Sequence, residues 1–341
     1  MATITTTEIG RALPLQRRQR SLWGDAWRRL IGSSVGRIGL GITLGLVLLA
    51  ILVPIVKPYN PARDRNVRAR LLAPSPLLDD SVRQRQKIDT WTYPFGTDEL
   101  GRNLFIRVLH GAPISLTVGF FAVSVAVILG SLLGLVAGFV GGWFDTVSTW
   151  IMDIMLAFPA ILLTIAIASV SSSPASLSYR LANAVTTLPV LGRIVDQQLF
   201  IAMLAVGIVE IPVFGRIARA TVIALRGQEY VTAARALGVP GGRVLFRHIL
   251  PNSLSPMMVQ ATLSIATAIT SVAALGFLGL GARPPRPEWG AMLATSRTFV
   301  GQGKWWYAAF PGLAIMLTVL GFNLLGDGLR DALDPRTRKS S

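Results

Sequence analysis

Two histidines, no cysteine and one carboxylate inside a long apolar run are the residues of this 341-residue chain to weigh first for chemistry. His110 and His248 stand 138 positions apart, with no acidic or cysteine companion at ligand spacing, so no metal centre is predicted. Without cysteine there is no disulfide framework, iron–sulfur cluster or Cys-zinc site. No Ser/His/Asp grouping for nucleophilic catalysis presents itself. The only Gly-Lys pair, Gly303-Lys304, is followed by Trp305 and lacks the glycine-rich loop that cradles phosphates. The chain is therefore not expected to hydrolyse ATP. Glu210 stands apart, because it alone interrupts the charge-free run Gln197–Gly215. An ionisable side chain in such a run is costly and marks a pathway or a pairing position. Two roles fit it: meeting a cationic group of a solute, or pairing with a residue of a partner subunit.

The second kind of chemistry is mechanical. Glu229–Pro251 reads EYVTAARALGVPGGRVLFRHILP. Glu229 to Leu237 is good helix-forming sequence, with Ala233, Ala234 and Ala236 supplying small side chains. Gly238 stands at a C-cap, and Pro240-Gly241-Gly242 makes a turn. Val244, Leu245, Phe246 and Ile249 start a second short helix, which Pro251 is expected to stop. Arg235, Arg243 and Arg247 keep this elbow in water, while its small residues allow close docking against another surface.

The elements that must position these residues are membrane spans. Apolar residues make up 52% of the chain and charged residues only 15%, against about 25% in a soluble domain. Disorder is excluded by the same hydrophobicity. The net charge of +16 sits in short blocks between apolar runs, which fits loops beside anionic lipid and argues against a nucleic-acid partner. A helix needs roughly 20 apolar residues to cross the hydrocarbon. Six spans are predicted, about 38–56, 115–140, 150–170, 199–221, 256–280 and 306–327. Glu210 lies 11 residues into the fourth, about 16 Å along a helix and near the midplane. Gly130, Gly134 and Gly138 form a small-residue row for close helix packing, within this subunit or against another. Thr97 is expected to cap a short helix on the membrane surface, built on Leu100, Leu104, Val108 and Leu109. The charge-free stretch Leu181–Gly192 is too short to span and is placed at the outer interface or as a re-entrant segment. Trp143, Trp289, Trp305 and Trp306 are read as interfacial anchors. Asp153 is expected to bond neighbouring backbone or the elbow.

The elbow resembles the EAA loop of ABC-type importer permeases, E-A-A-x₃-G-x₉-I-x-L-P. Ala233, Ala234, Gly238, Leu250 and Pro251 fall at the matching spacing, with Thr232 at the Glu position and His248 at the Ile position. The stretches 93–116, 138–159, 274–293 and 310–336 are similar to the C-type permease of dipeptide/oligopeptide transporters. The resemblance implies an all-α polytopic membrane protein of about six transmembrane helices, with the type-I ABC importer permease fold and a cytoplasmic coupling helix. It implies a basic cytoplasmic tail (1–37), a first transmembrane helix (38–56) and an extracytoplasmic loop with an interfacial helix (57–112). A permease core of five transmembrane helices (113–328) follows, carrying the coupling loop (226–253), and a cytoplasmic tail (329–341) ends the chain. The expected partners are a second, B-type permease, two ATPase subunits that bind ATP and Mg, an extracytoplasmic substrate-binding protein and the lipid bilayer. The chain itself is expected to hold no cofactor, and its location is a prokaryotic plasma membrane with both termini cytoplasmic. Nickel, a metal chelate or another peptide-like solute is the alternative cargo. A secondary transporter driven by an ion gradient is the alternative class, and it would need ionisable residues at midplane in several helices.

Overall fold

A computed structural model describes residues 22–60, 64–187 and 191–333. Residues 1–21 and 334–341 of the two expected tails, and 188–190 of the Leu181–Gly192 stretch, lie outside the described residues. Among the described residues the regular elements are helices, apart from an isolated β-bridge between Thr97 and Asn103. Helices α1 (Leu22–Gly32) and α2 (Ser34–Val56) lead into an irregular segment that holds the short α3 (Asp80–Gln86). Next come α4 (Leu104–Val140), α5 (Gly142–Ala157), α6 (Ala160–Ser171), α7 (Leu177–Thr186), α8 (Leu191–Ile194) and α9 (Gln197–Arg226). The elbow helices α10 (Glu229–Ala236) and α11 (Gly241–Val244) follow, then α12 (Leu250–Phe277), α13 (Trp289–Val300) and α14 (Trp306–Leu333). Five helical stretches are long and apolar enough to cross a membrane: α2, α4, α9, α11 through α12, and α14. The pair α5–α6 makes a sixth if taken as one bent span.

Three features differ from the sequence expectations. The run at 150–170 is not one helix: α5 and α6 meet at 101°. Pro159 disfavours helical backbone at the residue before it, and Phe158 is extended, with φ −85° and ψ 141°. The separate surface helix is absent, because α4 runs unbroken through its position and through Pro113. Its cap is Asn103, whose side chain accepts from the Phe105 and Ile106 N–H groups at 3.0 and 3.4 Å. Thr97 is not a helix cap: its hydroxyl accepts from Leu72 N–H at 2.8 Å and donates to the Ala69 carbonyl. Pro251 does not stop the second elbow helix either. It lies in the first turn of α12, behind a π-helical turn at Leu245–Ile249. The wider π repeat lets the chain pass a residue that has no N–H to donate.

Packing explains the arrangement. Helices α4 and α9 run parallel and touch backbone to backbone. A Cβ on Gly130 would lie 2.5 Å from the Ile211 carbonyl oxygen, on Gly134 2.1 Å from that of Gly215, and on Gly138 2.9 Å from that of Arg219. The small-residue row therefore packs within this subunit. Helices α2 and α14 are antiparallel, with Gly36 against Gly328, Gly39 against Leu325 and Thr43 against Gly321. Helix α1, from the expected N-terminal tail, packs Ala26 and Leu30 on Ala332 of α14. The starts of α4 and α14 share one apolar cluster with Trp289. The end of α4 shares another with the elbow. The start of α2, the elbow and the end of α14 thus lie at one end of the bundle.

The opposite end is closed by a buried charge cluster. Asp98 accepts from Arg102 Nε at 2.6 Å and Arg107 Nη1 at 2.9 Å, and from the Leu100 and Arg102 N–H groups at 2.8 and 2.9 Å. Glu99 accepts from Arg102 Nη2 at 2.9 Å and from the Tyr307 hydroxyl, and Phe95 stacks on Phe310 at 3.8 Å. The segment before α4 is thereby riveted to α4 and α14. Two tryptophans expected as interfacial anchors are buried in this region. Trp289 donates to the Val108 carbonyl at 2.9 Å, and Trp306 lies against the chain at Gly96. Trp143 and Trp305 are exposed.

Gly134→Leu is expected to lower the stability of the purified complex by about 1–3 kcal/mol through overpacking. Gly45→Leu is the control, since a Cβ there meets nothing within 4 Å. Thermal unfolding in detergent reads both. Equal midpoints for the two variants would overturn the α4–α9 contact.

Candidate functional site

The elbow is built on the ends of three long helices that lie together. Helix α9 ends at Arg226 with Gly227 as its cap, and α10 begins at Glu229. Val231 and Ala234 on one face of α10 are buried, as are Val244, Leu245 and Ile249 beyond the turn. These residues form one cluster with Leu135 of α4, Ala218 and Val222 of α9 and Met257 of α12. The elbow is therefore packed onto all three helices. Further ties reinforce it. Arg226 donates to the Gly138 carbonyl at 3.1 Å, the Arg235 guanidinium lies 5.7 Å over the Phe139 ring, and Gly241 rests on the same ring.

Gly238 makes the turn. Its φ is +75°, in the left-handed region where a side chain is disfavoured, while the space around its missing Cβ is open. The requirement is conformational rather than steric. The N–H of Gly238 donates to the Arg235 carbonyl at 2.9 Å, and that of Val239 to the Ala234 carbonyl at 3.1 Å, which closes the end of α10.

The seven elbow residues singled out from the sequence divide by environment. Ala234 is buried and Leu250 is partly buried against the same cluster. Thr232, Ala233, Gly238 and Pro251 are exposed, and His248 is intermediate. The His248 carbonyl accepts from Asn252 Nδ2 at 2.7 Å. Leu237, at the apex, is 84% exposed, and Phe246 is 60% exposed. Leu237 was not singled out. Its signal was a large apolar residue directly before the cap glycine of a helix whose buried face is already complete.

Glu210 lies at the middle of the bundle. It is the fourteenth residue of the 30 in α9, and Ser264, the fifteenth of the 28 in α12, donates to its Oε2 at 3.3 Å. Gln260 Nε2 donates in turn to the Ser264 hydroxyl oxygen at 3.2 Å. Among the described residues Glu210 has no ion-pair partner. The other acidic residues near α9 are paired. Asp145 takes Arg219, with Nη2 at 2.8 Å, and Asp153 takes Arg216 rather than backbone or the elbow. Both pairs tie α5 to α9. His110 holds the ends of α2 and α4 together, with its ring nitrogens 2.8 Å from the Lys57 carbonyl and 2.9 Å from that of Ile106. At the far end of α12, Glu288 is fully buried and caps α13, accepting from Gly290 and Ala291 N–H at 2.7 and 2.8 Å. Burial pushes its carboxyl up to about 7, against the pull of those two N–H groups. Burial also raises the Tyr59 phenol above its ordinary value.

Long apolar helices with an elbow between two of them are those of a multi-pass membrane protein. The chain belongs to the family described as binding-protein-dependent transport system inner membrane component, which matches residues 130–339. Residues 21–74 match the N-terminal TM domain of oligopeptide transport permease C. The chain is 45% identical to the dipeptide transport system permease protein DppC of Alkalihalophilus pseudofirmus, over 93% of this chain and 91% of that one. It is 41% identical to the di/tripeptide transport system permease protein DppC of Pseudomonas aeruginosa, over 93% of each. It is 38% identical to the glutathione transport system permease protein GsiD of Pectobacterium atrosepticum, over 94% of this chain and 93% of that one. The all-α fold with five spans and one bent pair is that of the type-I ABC importer permeases.

Ala234→Phe forces a ring into the packed cluster, and Gly238→Ala imposes a left-handed cost of about 1–2 kcal/mol. Both variants are expected to raise protease cleavage between residues 227 and 243 several-fold while the spans stay intact. Wild-type resistance in both would mean that the elbow is held by something other than this packing.

Proposed function

We propose that the chain is one of two permeases in an ATP-driven importer of di- and oligopeptides, forming half of the pore. The observation that carries the proposal is an elbow fixed to the ends of α4, α9 and α12 that presents Leu237 outward. The exposed Leu237, with Thr232, Ala233 and Arg235 also exposed on the helix before it, suits the groove of a partner ATPase. Gly238 sets the turn, and Ala234 and Leu250 seat the elbow on the spans. In this reading the elbow end is cytoplasmic, as are both chain termini, and the membrane is the prokaryotic inner membrane. The chain performs no catalysis. ATP and Mg are bound by two ATPase subunits, and a B-type permease and an extracytoplasmic binding protein complete the complex. ATP closes the ATPase pair, the elbow is carried with it, and the attached helices tilt so that the pore opens outward. Hydrolysis reverses the movement. Glu210 lies along the route between the two ends.

The peptide cargo is supported by the names of the similar permeases, which are for dipeptides, di/tripeptides and glutathione. Leu237→Asp places a carboxylate in the proposed contact. We expect the ATPase subunits to stop co-purifying and uptake of a labelled dipeptide to fall by tenfold or more, a cost of about 1.4 kcal/mol or above, with the chain still inserted. Full uptake in this variant would contradict the docking role.

A further inference from the structure

Helix α12 carries a line of polar residues that its packing does not need. Gln260, Ser264, Thr267 and Ser271 follow the spacing i, i+4, i+7, i+11, which puts them on one face of the helix. The line covers about 16 Å at 1.5 Å per residue and crosses the centre of the span. Thr267 is exposed, Gln260 and Ser271 are partly buried and Ser264 is buried, so the face is not fully sealed inside this chain. Glu210 of α9 meets the line at Ser264. Two hydrogen bonds run in series toward the carboxylate: Gln260 donates to Ser264, and Ser264 donates to Glu210. The Thr267 hydroxyl spends its proton on the Ser264 carbonyl at 2.9 Å, which leaves its oxygen lone pairs as acceptors. The cluster therefore presents acceptors and one carboxylate, and it offers no cation.

A carboxylate at this depth is expensive unless a positive group meets it for part of the cycle. The nearest guanidinium along α9 is Arg216, six residues nearer the elbow, and Asp153 already holds it. We propose that Glu210, with Ser264 and Thr267, is a mid-membrane subsite for the ammonium group of a passing peptide. The inference rests on the peptide reading above. An ammonium has three donors, which match one carboxylate and the adjacent hydroxyl oxygens. The amino terminus is also the charge that peptides share regardless of side chain. A subsite for it would let one pore pass many sequences while rejecting solutes without that group.

The absence of cysteine makes a direct test available. Gln260→Cys places a single thiol on the polar face, and its modification is read on this chain in the complete complex, with binding protein, during ATP turnover. Methanethiosulfonate reagents carrying an ethylammonium or an ethylsulfonate are compared. The cationic reagent is expected to react roughly tenfold faster, as a fixed charge in a narrow site enriches its counter-ion. Adding Glu210→Gln should bring the two rates together. A dipeptide with a free amino terminus should slow the cationic reagent, and its N-acetylated form should not. Three results would each overturn the proposal: no reaction with either reagent, a rate ratio indifferent to Glu210→Gln, or equal protection by both peptides. Dipeptide uptake by the same complex is measured in parallel. Loss of uptake with the reagent preference intact would count against the peptide cargo and leave a cation subsite standing.

Discussion

The close approach of α4 and α9 is the contact on which the rest of the molecule depends. Within a bilayer the lipid tails are as apolar as leucine, so helices gain little from hiding apolar surface from one another. They associate where backbones can touch. Gly130, Gly134, Gly138 and Gly215 remove side chains along a shared seam, with Gly207 above against the Ala122 carbonyl. Met152 of α5 fills the space beside Gly215. The result is a two-helix beam running from one end of the bundle to the other. The elbow is a continuation of one of its members and is packed against the other.

Each end of that beam is fixed by different physics. At the elbow end the ties are apolar burial and two ion pairs from α5, Asp145–Arg219 and Asp153–Arg216. At the opposite end they are buried charge and aromatic stacking around Asp98, Glu99, Arg102, Arg107 and Phe95. There the loop after α12 is also tied to the start of α9. Arg283 donates its backbone N–H to Asp196 at 3.0 Å and its Nε to Gln198 at 2.7 Å. A displacement imposed at the elbow therefore has a stiff path through α9 to the far end. Glu210, with one hydroxyl donor and no ion pair among the described residues, lies halfway along it.

Much of this was legible in the residues. The apolar runs located the spans, the glycine row located the tightest contact, and the alanines with Gly238 located the elbow. What escaped has physical reasons. The run at 150–170 is uniformly apolar, and hydropathy is blind to the 101° bend that Pro159 imposes. Pro113 and Pro251 have the same composition signal as Pro159, yet α4 and α12 continue through them. Whether a proline breaks a helix is decided by whether neighbours re-satisfy the freed carbonyl, and that is a tertiary property. Thr97 and Asn103 are both good caps on type alone. The chain uses Asn103 because Thr97 is engaged with Ala69 and Leu72, on a segment more than 20 residues away. Asp98 and Glu99, beside Thr97, are salt-bridged, and Arg107 reaches Asp98 only from within α4. The burial of Trp289 and Trp306 depends on the same packing of α4, α13 and α14.

Membership of the binding-protein-dependent inner membrane family gives this rigidity a purpose in transport. The central claim is that the elbow and α9 travel as one body. Spin labels on introduced cysteines at Arg243 in the elbow and Ala220 on α9, both exposed, test it in the complete complex. Pulsed electron-spin distances between them should stay the same in the nucleotide-free and ATP-closed states, while the distance from Arg243 to a label on the partner permease changes. An Arg243–Ala220 distance that changes with nucleotide would show that the elbow swings on a hinge of its own, and the account would fail.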